Sequence, residues 1–222
     1  MSEHEPLRPL SASQRQMLET ATSRYQAAVT ADVARYLLAR GIDRETARTF
    51  RLGVVADPVP GHGRYAGFLA IPYLDAKGRP LSLRFRCMQN HTHRDFGHGK
   101  YMSISREPGR MFNVGAIHRA DDTIHLCEGE LDAIILTLIG LLAVAVPGAE
   151  SWQPHFRRML AGFSTVWVWA DPDEAGADLT ARVTRALRAA KPAELSIGDV
   201  GETYLHGGPA ALHALIGAGA TQ

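Results

Sequence analysis

Two acidic clusters carry the chemistry most evident in this chain. Glu128-Gly129-Glu130-Leu131-Asp132 follows the apolar run Thr123-Ile124-His125-Leu126-Cys127. Asp171-Pro172-Asp173-Glu174-Ala175-Gly176 follows Thr165-Val166-Trp167-Val168-Trp169-Ala170. Carboxylates leaving the carboxyl ends of parallel strands stand at the rim where α/β sheets bind their ligands. Gathered there, they repel one another unless a hard cation is present. Mg²⁺ (or Mn²⁺) suits the position, because it takes oxygen ligands and shares them with substrate phosphates. Asp199, with Glu202 three residues on, offers a third acidic segment. Such a rim has room for two ions, which could clamp the attacking and leaving oxygens of a nucleotidyl transfer.

Each cluster has a plainer structural reading beside the catalytic one. Asp171-Pro172-Asp173-Glu174 is a good helix start, with Asp171 as N-cap, Pro172 in the first turn and Glu174 closing a capping box. Asp132 suits the first turn of a helix because of the helix dipole. Glu128 is harder to explain that way, since it ends an apolar strand just before Gly129, where the backbone can turn sharply. Both clusters occupy equivalent points of successive strand–helix units, and that repetition favours a shared site.

The elements needed to position these acids are legible in the pattern. Strands are expected at 122–127, 143–146, 165–170 and, weakly, 193–197, with helices at 130–140, 152–161, 174–190 and 209–217. Such alternation means a parallel sheet covered by helices. The first half differs. Residues 13–39 are helix-rich, and a short helix over 43–50 starts at Asp43 as its cap. A hairpin joins 68–73 to 81–85 through an Asp75–Gly78 turn. Residues 89–99, rich in Gly and His, form a polar loop. The expected division is a tail at 1–12, a basic mixed α+β subdomain at 13–119, a parallel-sheet domain at 120–205, and a terminal helix and tail at 206–222.

The chain has 222 residues, of which 45% are hydrophobic and 21% charged, a composition that buries a sizeable core. Its formal net charge of +1 hides a split. Residues 61–119 carry ten Lys/Arg and three Asp/Glu, whereas residues 120–180 carry two and ten. A basic block beside an acidic one fits a polyanion held next to metal ions, although two solvated faces of opposite sign would look the same. Cys87 and Cys127 are too few for a disulfide framework or a Cys₄ zinc ribbon. The longest apolar stretch, 133–146, is too short to span a bilayer. No signal-peptide core precedes it, so a cytoplasmic, membrane-free setting is expected.

Glu128-Gly129-x-x-Asp132 with Asp171-x-Asp173-x-Ala175-Gly176 resembles the Toprim domain of bacterial-type primases, topoisomerases and some nucleases. The upstream half narrows the resemblance to the bacterial-type (DnaG-like) primase core, of a phage or mobile-element kind. Tyr36-Leu37-Leu38-Ala39-Arg40-Gly41-Ile42 leading to Phe50-Arg51-Leu52-Gly53 resembles its opening. Ile71-Pro72, Asp75 to Arg79 and Leu83-Arg84-Phe85-Arg86 resemble its arginine-ended strand pair. Lys100-Tyr101-Met102-Ser103, Gly109-Arg110-Met111-Phe112 and Asp199 with Glu202-Thr203-Tyr204-Leu205 resemble three later motifs.

This resemblance implies primer synthesis from ribonucleoside triphosphates on single-stranded DNA. Glu128 would be the catalytic carboxylate, as general base or metal ligand, supported by Asp132. Asp171 and Asp173 would be the principal Mg²⁺ ligands, with Asp199 completing a second metal site. Arg86, Lys100 and Tyr101 match positions facing nucleic acid or nucleotide, with Arg64 and Arg84 assisting. Arg84 and Arg86 share a strand face, and with Lys100, Arg106 and Arg110 nearby they offer a phosphate track; plain solvation is the alternative.

The sequence also departs from the family pattern. Met102-Ser103 stands where the family has asparagine, Arg106 is a stand-in for a lysine, and Gly201 replaces a central Asp. The zinc-binding and helicase-binding domains of full-length bacterial primases are not seen, so a helicase or a separate zinc-binding chain is an expected partner. His91, His93, His98 and Cys87 match no standard zinc module, and no zinc is expected. A Toprim nuclease and a non-catalytic single-stranded-DNA-binding module of the replisome are the competing functions.

Overall fold

The structure, a computed structural model, describes residues 9–104 and 109–217. Three helices open it: α1 (Ala12–Ala27), α2 (Ala31–Leu38) and α3 (Arg44–Thr49). Each begins where a side chain can take an unpaired backbone N–H. Ser11 Oγ accepts from Gln14 N at 3.2 Å, while the Gln14 side chain accepts from Ser11 N. Thr30 caps α2, and Asp43 Oδ1 accepts from Thr46 N at 2.7 Å to start α3.

An antiparallel sheet follows in the order β1 (Gly53–Val54), β2 (Leu69–Leu74), β3 (Pro80–Arg86) and β4 (Tyr101–Ser103). Asp75 Oδ1 makes the β2–β3 turn by accepting from the amides of Lys77 and Arg79. Ala70, Leu83 and Phe85 pack with Ala21 and Tyr25 of α1 on one face. Leu69, Ile71 and Tyr73 face the other way, toward the second half of the chain.

That second half is a parallel sheet in the order β6-β5-β7-β8. The chain runs β5 (Thr123–Cys127), α4 (Glu130–Leu138), β6 (Ala143–Ala145), α5 (Pro154–Leu160), β7 (Thr165–Trp169), α6 (Glu174–Ala186), β8 (Ala190–Pro192) and α7 (Val200–Gly217). Ile124, Leu126, Val166 and Val168 bury against Phe156, Leu160, Leu179 and Val183 of α5 and α6. Cys127, Ala145 and Trp169 face α4. The neighbours β5 and β7 send the chain to opposite sides, β5 toward β6 and β7 toward β8. Their carboxyl ends therefore flank the switch point where open α/β sheets hold ligands.

The expected boundary at 119/120 marks a change of sheet type without a break in the core. One apolar cluster joins Leu37, Ile42, Phe50 and Ile71 to Leu131, Ile134, Ala145 and Trp169. Phe112 pairs with Ala145 (Phe112 N to Ala145 O, 2.8 Å) and stacks on Phe50 at 5.9 Å.

Two expected elements differ. The fourth parallel strand is Ala190–Pro192, not 193–197, because the ladder pairs Lys191 with Trp167 and ends beyond Pro192. The last helix starts at Val200, well before 209, and is interrupted at Gly208 (φ +64°), just before Pro209. Most of the expected tail and Arg106 lie outside the described residues. No described helix is long and apolar enough to cross a membrane.

Candidate active site

Glu128 and Asp171 leave β5 and β7, and both open into one cleft of roughly 600 Å³. Asp132, one turn into α4, and Asp199, at the start of α7, line the same wall. The facing wall carries Arg86, Lys100 and Tyr101 from β3 and the start of β4. The acidic and basic blocks of the sequence thus meet across a single groove.

Two glycines explain the motif spacing. A Cβ on Gly176 would lie 2.1 Å from the Asp171 carbonyl oxygen, so only glycine lets α6 pack beneath that turn. A Cβ on Gly129 would lie 2.6 Å from Asp132 Oδ2, closing the approach of the Asp132 carboxylate to the β5–α4 turn.

Three of the cleft carboxylates, Glu128, Asp132 and Asp171, are held protonated to higher pH than usual. Burial, then the nearby Asp199 and Asp171, push Asp132 up to about 8, although the Gly201 amide donates to it. Burial and Asp171 raise Glu128; burial and Asp199 raise Asp171, with Lys100 pulling the other way. Glu128 Oε2 is buried with no hydrogen-bond partner. A buried, mutually repelling set of oxygens with an unsatisfied acceptor is a donor set suited to a hard divalent cation. Among the described residues, no three cleft carboxylates bring oxygens within 4.8 Å of one another.

Asp173 departs from the expected ligand set. It is exposed, it lies outside the cleft, and its Oδ1 accepts from Gly176 N at 2.8 Å, making Asp173 the N-cap of α6. The capping reading therefore holds for Asp173 and not for Asp171. Asp173 still lies close enough to raise the pKa of both Glu128 and Asp171. Asp199 combines two roles, lining the cleft and accepting from Glu202 N at 2.7 Å.

The cations also divide. Arg86 is 6% exposed and held in place. Its Nε donates to Tyr36 Oη at 2.9 Å, its Nη1 to Tyr101 Oη, and its guanidinium lies 4.8 Å from the centre of the Tyr101 ring. Arg84 also lines the cleft, and it is engaged in an ion pair. Its Nη1 meets Glu130 Oε1 at 2.6 Å in a buried ion pair, and Tyr73 Oη donates to the same oxygen at 2.5 Å. This pair stitches β2 and β3 to α4. Arg64 sits on an exposed turn over the Tyr65 ring, away from the cleft, and Arg110 also lies outside the cleft lining.

Several contributors are not evident in the sequence. Glu130 looks like one more acid of its cluster, yet it is the buried partner of Arg84. Tyr36 and Arg40 line the cleft, the guanidinium 4.7 Å from the ring centre; their i, i+4 spacing was the available signal. Beneath the acids, Trp169 Nε1 donates to His125 Nδ1 at 3.0 Å. Burial lowers His125 to about 4, so it stays neutral. The segment expected as a plain polar loop instead folds back, with His98 N donating to His93 O. It gathers Cys87, His91, His93 and His98 into one cluster.

No protein-family model matches the chain. The fold is that of the DnaG-type primase catalytic core. It covers 96% of this chain and 63% of a solved Aquifex aeolicus primase chain comprising zinc-binding and RNA polymerase domains, with TM-score 0.77 and 20% identity. The RNA polymerase domain of Mycobacterium tuberculosis DnaG, solved with a double-stranded DNA bearing a 6-nucleotide overhang, matches 93% of this chain and 80% of its own, with TM-score 0.73 and 20% identity. In sequence, the chain is 34% identical over 139 residues to the Gene 57 protein of Mycobacterium phage D29, spanning 61% of this chain and 88% of that protein, and it belongs to the same family. It is also 28% identical over 134 residues (56% of this chain) to the DNA primase of Mycoplasma pneumoniae, but spans only 21% of that longer protein.

Proposed function

We propose that this protein is the catalytic core of a primase with a Toprim-type acidic centre, a nucleotidyltransferase that joins ribonucleoside triphosphates on a single-stranded DNA template into a short RNA primer. One observation carries the reading: the unsatisfied Glu128 oxygen lies beside Asp171, Asp132 and Asp199 in a cleft whose other wall is Arg86, Lys100 and Tyr101. Glu128, Asp171 and Asp199 would hold Mg²⁺ or Mn²⁺, in one or two sites, with Asp132 behind them and Asp173 at the rim. Once bound, the cation supplies charge neutralisation and polarises the α-phosphate.

The remaining work belongs to the chain's own groups. Lys100 and Arg86 bind the triphosphate and template phosphates, and the tyrosine contacts keep Arg86 from swinging away. Where Glu128 serves as general base and not as metal ligand, its Oε2 accepts the proton of the primer 3′-hydroxyl. The freed oxygen bonds to the α-phosphorus as the bond to the β-phosphate bridge breaks and pyrophosphate leaves. Positioning and charge stabilisation dominate such a transfer. The DNA carried by the M. tuberculosis neighbour supports a DNA partner, with a helicase or a zinc-binding chain as an accessory and the bacterial host cytoplasm as the setting.

Labelled-ribonucleotide incorporation on random single-stranded DNA, with each metal, tests the proposal. Primers are expected with the natural chain and none with Glu128→Gln or Asp171→Asn. Normal primer yield from either variant would overturn it, as would strand cleavage without nucleotides and no synthesis.

A further inference from the structure

The geometry points to a structural zinc site, distinct from the acidic cleft, formed by Cys87, His91, His93 and His98 in the β3–β4 connection. Their four ligand atoms lie within 4.8 Å of one another, and among the described residues no other group of three or more His, Cys, Asp or Glu does this. The donor set decides the metal. One thiolate and three imidazoles select zinc over Mg²⁺ or Mn²⁺, which prefer oxygen.

The distances already approach those of an occupied site. Cys87 Sγ and His91 Nε2 are 3.6 Å apart. Tetrahedral zinc, with its usual sulfur and nitrogen bond lengths, separates two such ligands by about 3.5 Å. His98 is held in the tautomer a ligand needs. Its Nδ1 must donate to the Gly99 carbonyl at 3.0 Å, leaving Nε2 bare. His93 contributes a buried Nδ1 that no protein group satisfies. Neighbouring rings brace the set: Phe96 stacks on His91 at 4.3 Å, and Phe68 meets His98 edge-on at 5.1 Å.

Zinc here would fasten the base of the basic wall. Cys87 follows Arg86 directly, and its amide donates to the Lys100 carbonyl at 2.9 Å. A metal joining Cys87 to His98 closes the loop between those two cleft cations. The site makes its own case and does not depend on the proposed reaction.

Metal analysis of the untagged, purified chain tests the inference. About one zinc per chain is expected, surviving dialysis against Mg²⁺ buffer. Replacement by Co²⁺ should give a thiolate-to-cobalt charge-transfer band, absent in Cys87→Ser. Because Cys87 is buried, His91→Asn/His93→Asn is the second variant, and it should lose at least tenfold in bound zinc while its fold persists by circular dichroism. Zinc removal should lower the melting midpoint by roughly 10 °C. A metal-free protein that gives no cobalt band would overturn the assignment. So would undiminished zinc in the double variant. Loss of zinc in Asp171→Asn would also refute it, since that places the metal among the cleft acids.

Discussion

Replacing Arg84 by methionine separates a structural cation from a substrate-binding one. Its side chain is 14% exposed and that of its partner Glu130 1% exposed, with the contact at 2.6 Å. Removing one member of a buried pair leaves the other charge uncompensated, a loss of about 3–5 kcal/mol. At about 2–4 °C per kcal/mol for a chain of this size, the melting midpoint should fall by roughly 6–20 °C. Arg84→Met/Glu130→Gln removes both charges yet leaves an amide oxygen to accept from Tyr73. It should recover most of the loss, because a buried pair replaced as a unit is close to neutral. Urea unfolding of the two single variants and the double gives the coupling energy directly. Loss of DNA affinity in Arg84→Met with less than about 1 kcal/mol of destabilisation would refute the reasoning, since exposed pairs lie in that range.

Other outcomes follow from the cleft. Burial and its acidic neighbours place Asp132 at about 8 in the folded chain, well above the ordinary carboxylate range, so the folded state holds a proton that the unfolded chain has released. Stability should therefore fall as pH rises from about 4 to 8, and Asp132→Asn should flatten that slope in pH-dependent unfolding. Asp171→Asn and Asp173→Ala should move stability in opposite directions: the first relieves repulsion and raises the melting midpoint, while the second removes the α6 cap and costs about 1 kcal/mol in thermal unfolding. Gly176→Ala should displace the Asp171 turn, given the 2.1 Å approach to its carbonyl, and reduce primer yield far more than a surface alanine does.

Much of the acidic rim was legible because strand ends and acids follow one another along the chain. Glu128 and Asp171 needed only the strand–helix rhythm to be placed together. Asp173 shows the limit: a carboxylate two residues on can cap a helix or hold an ion, and only the φ/ψ of the turn decides which. The ion pair between Arg84 and Glu130 was hidden for a different reason. Their pairing joins positions 46 residues apart, one on β3 and one on α4, and nothing local marks it. Cys87, His91, His93 and His98 stand out in the sequence, but their spacing matches no common zinc module; backbone contacts from Cys87 to Lys100 and from His98 to His93 bring them together. The strand expected at 193–197 failed because β8 is a short edge strand of mixed polarity, with a weak pattern signal.

The apolar cluster that runs from Leu37 and Phe50 through Phe112 to Ile134 and Trp169 belongs to neither half alone. A fragment cut at 120 would bare the inner side of α4 and leave the edge of β6 without Phe112. Exchange of one half between related chains would have to bring both sides of that seam along. The cleft acids and the basic wall opposite them thus stand on one shared core.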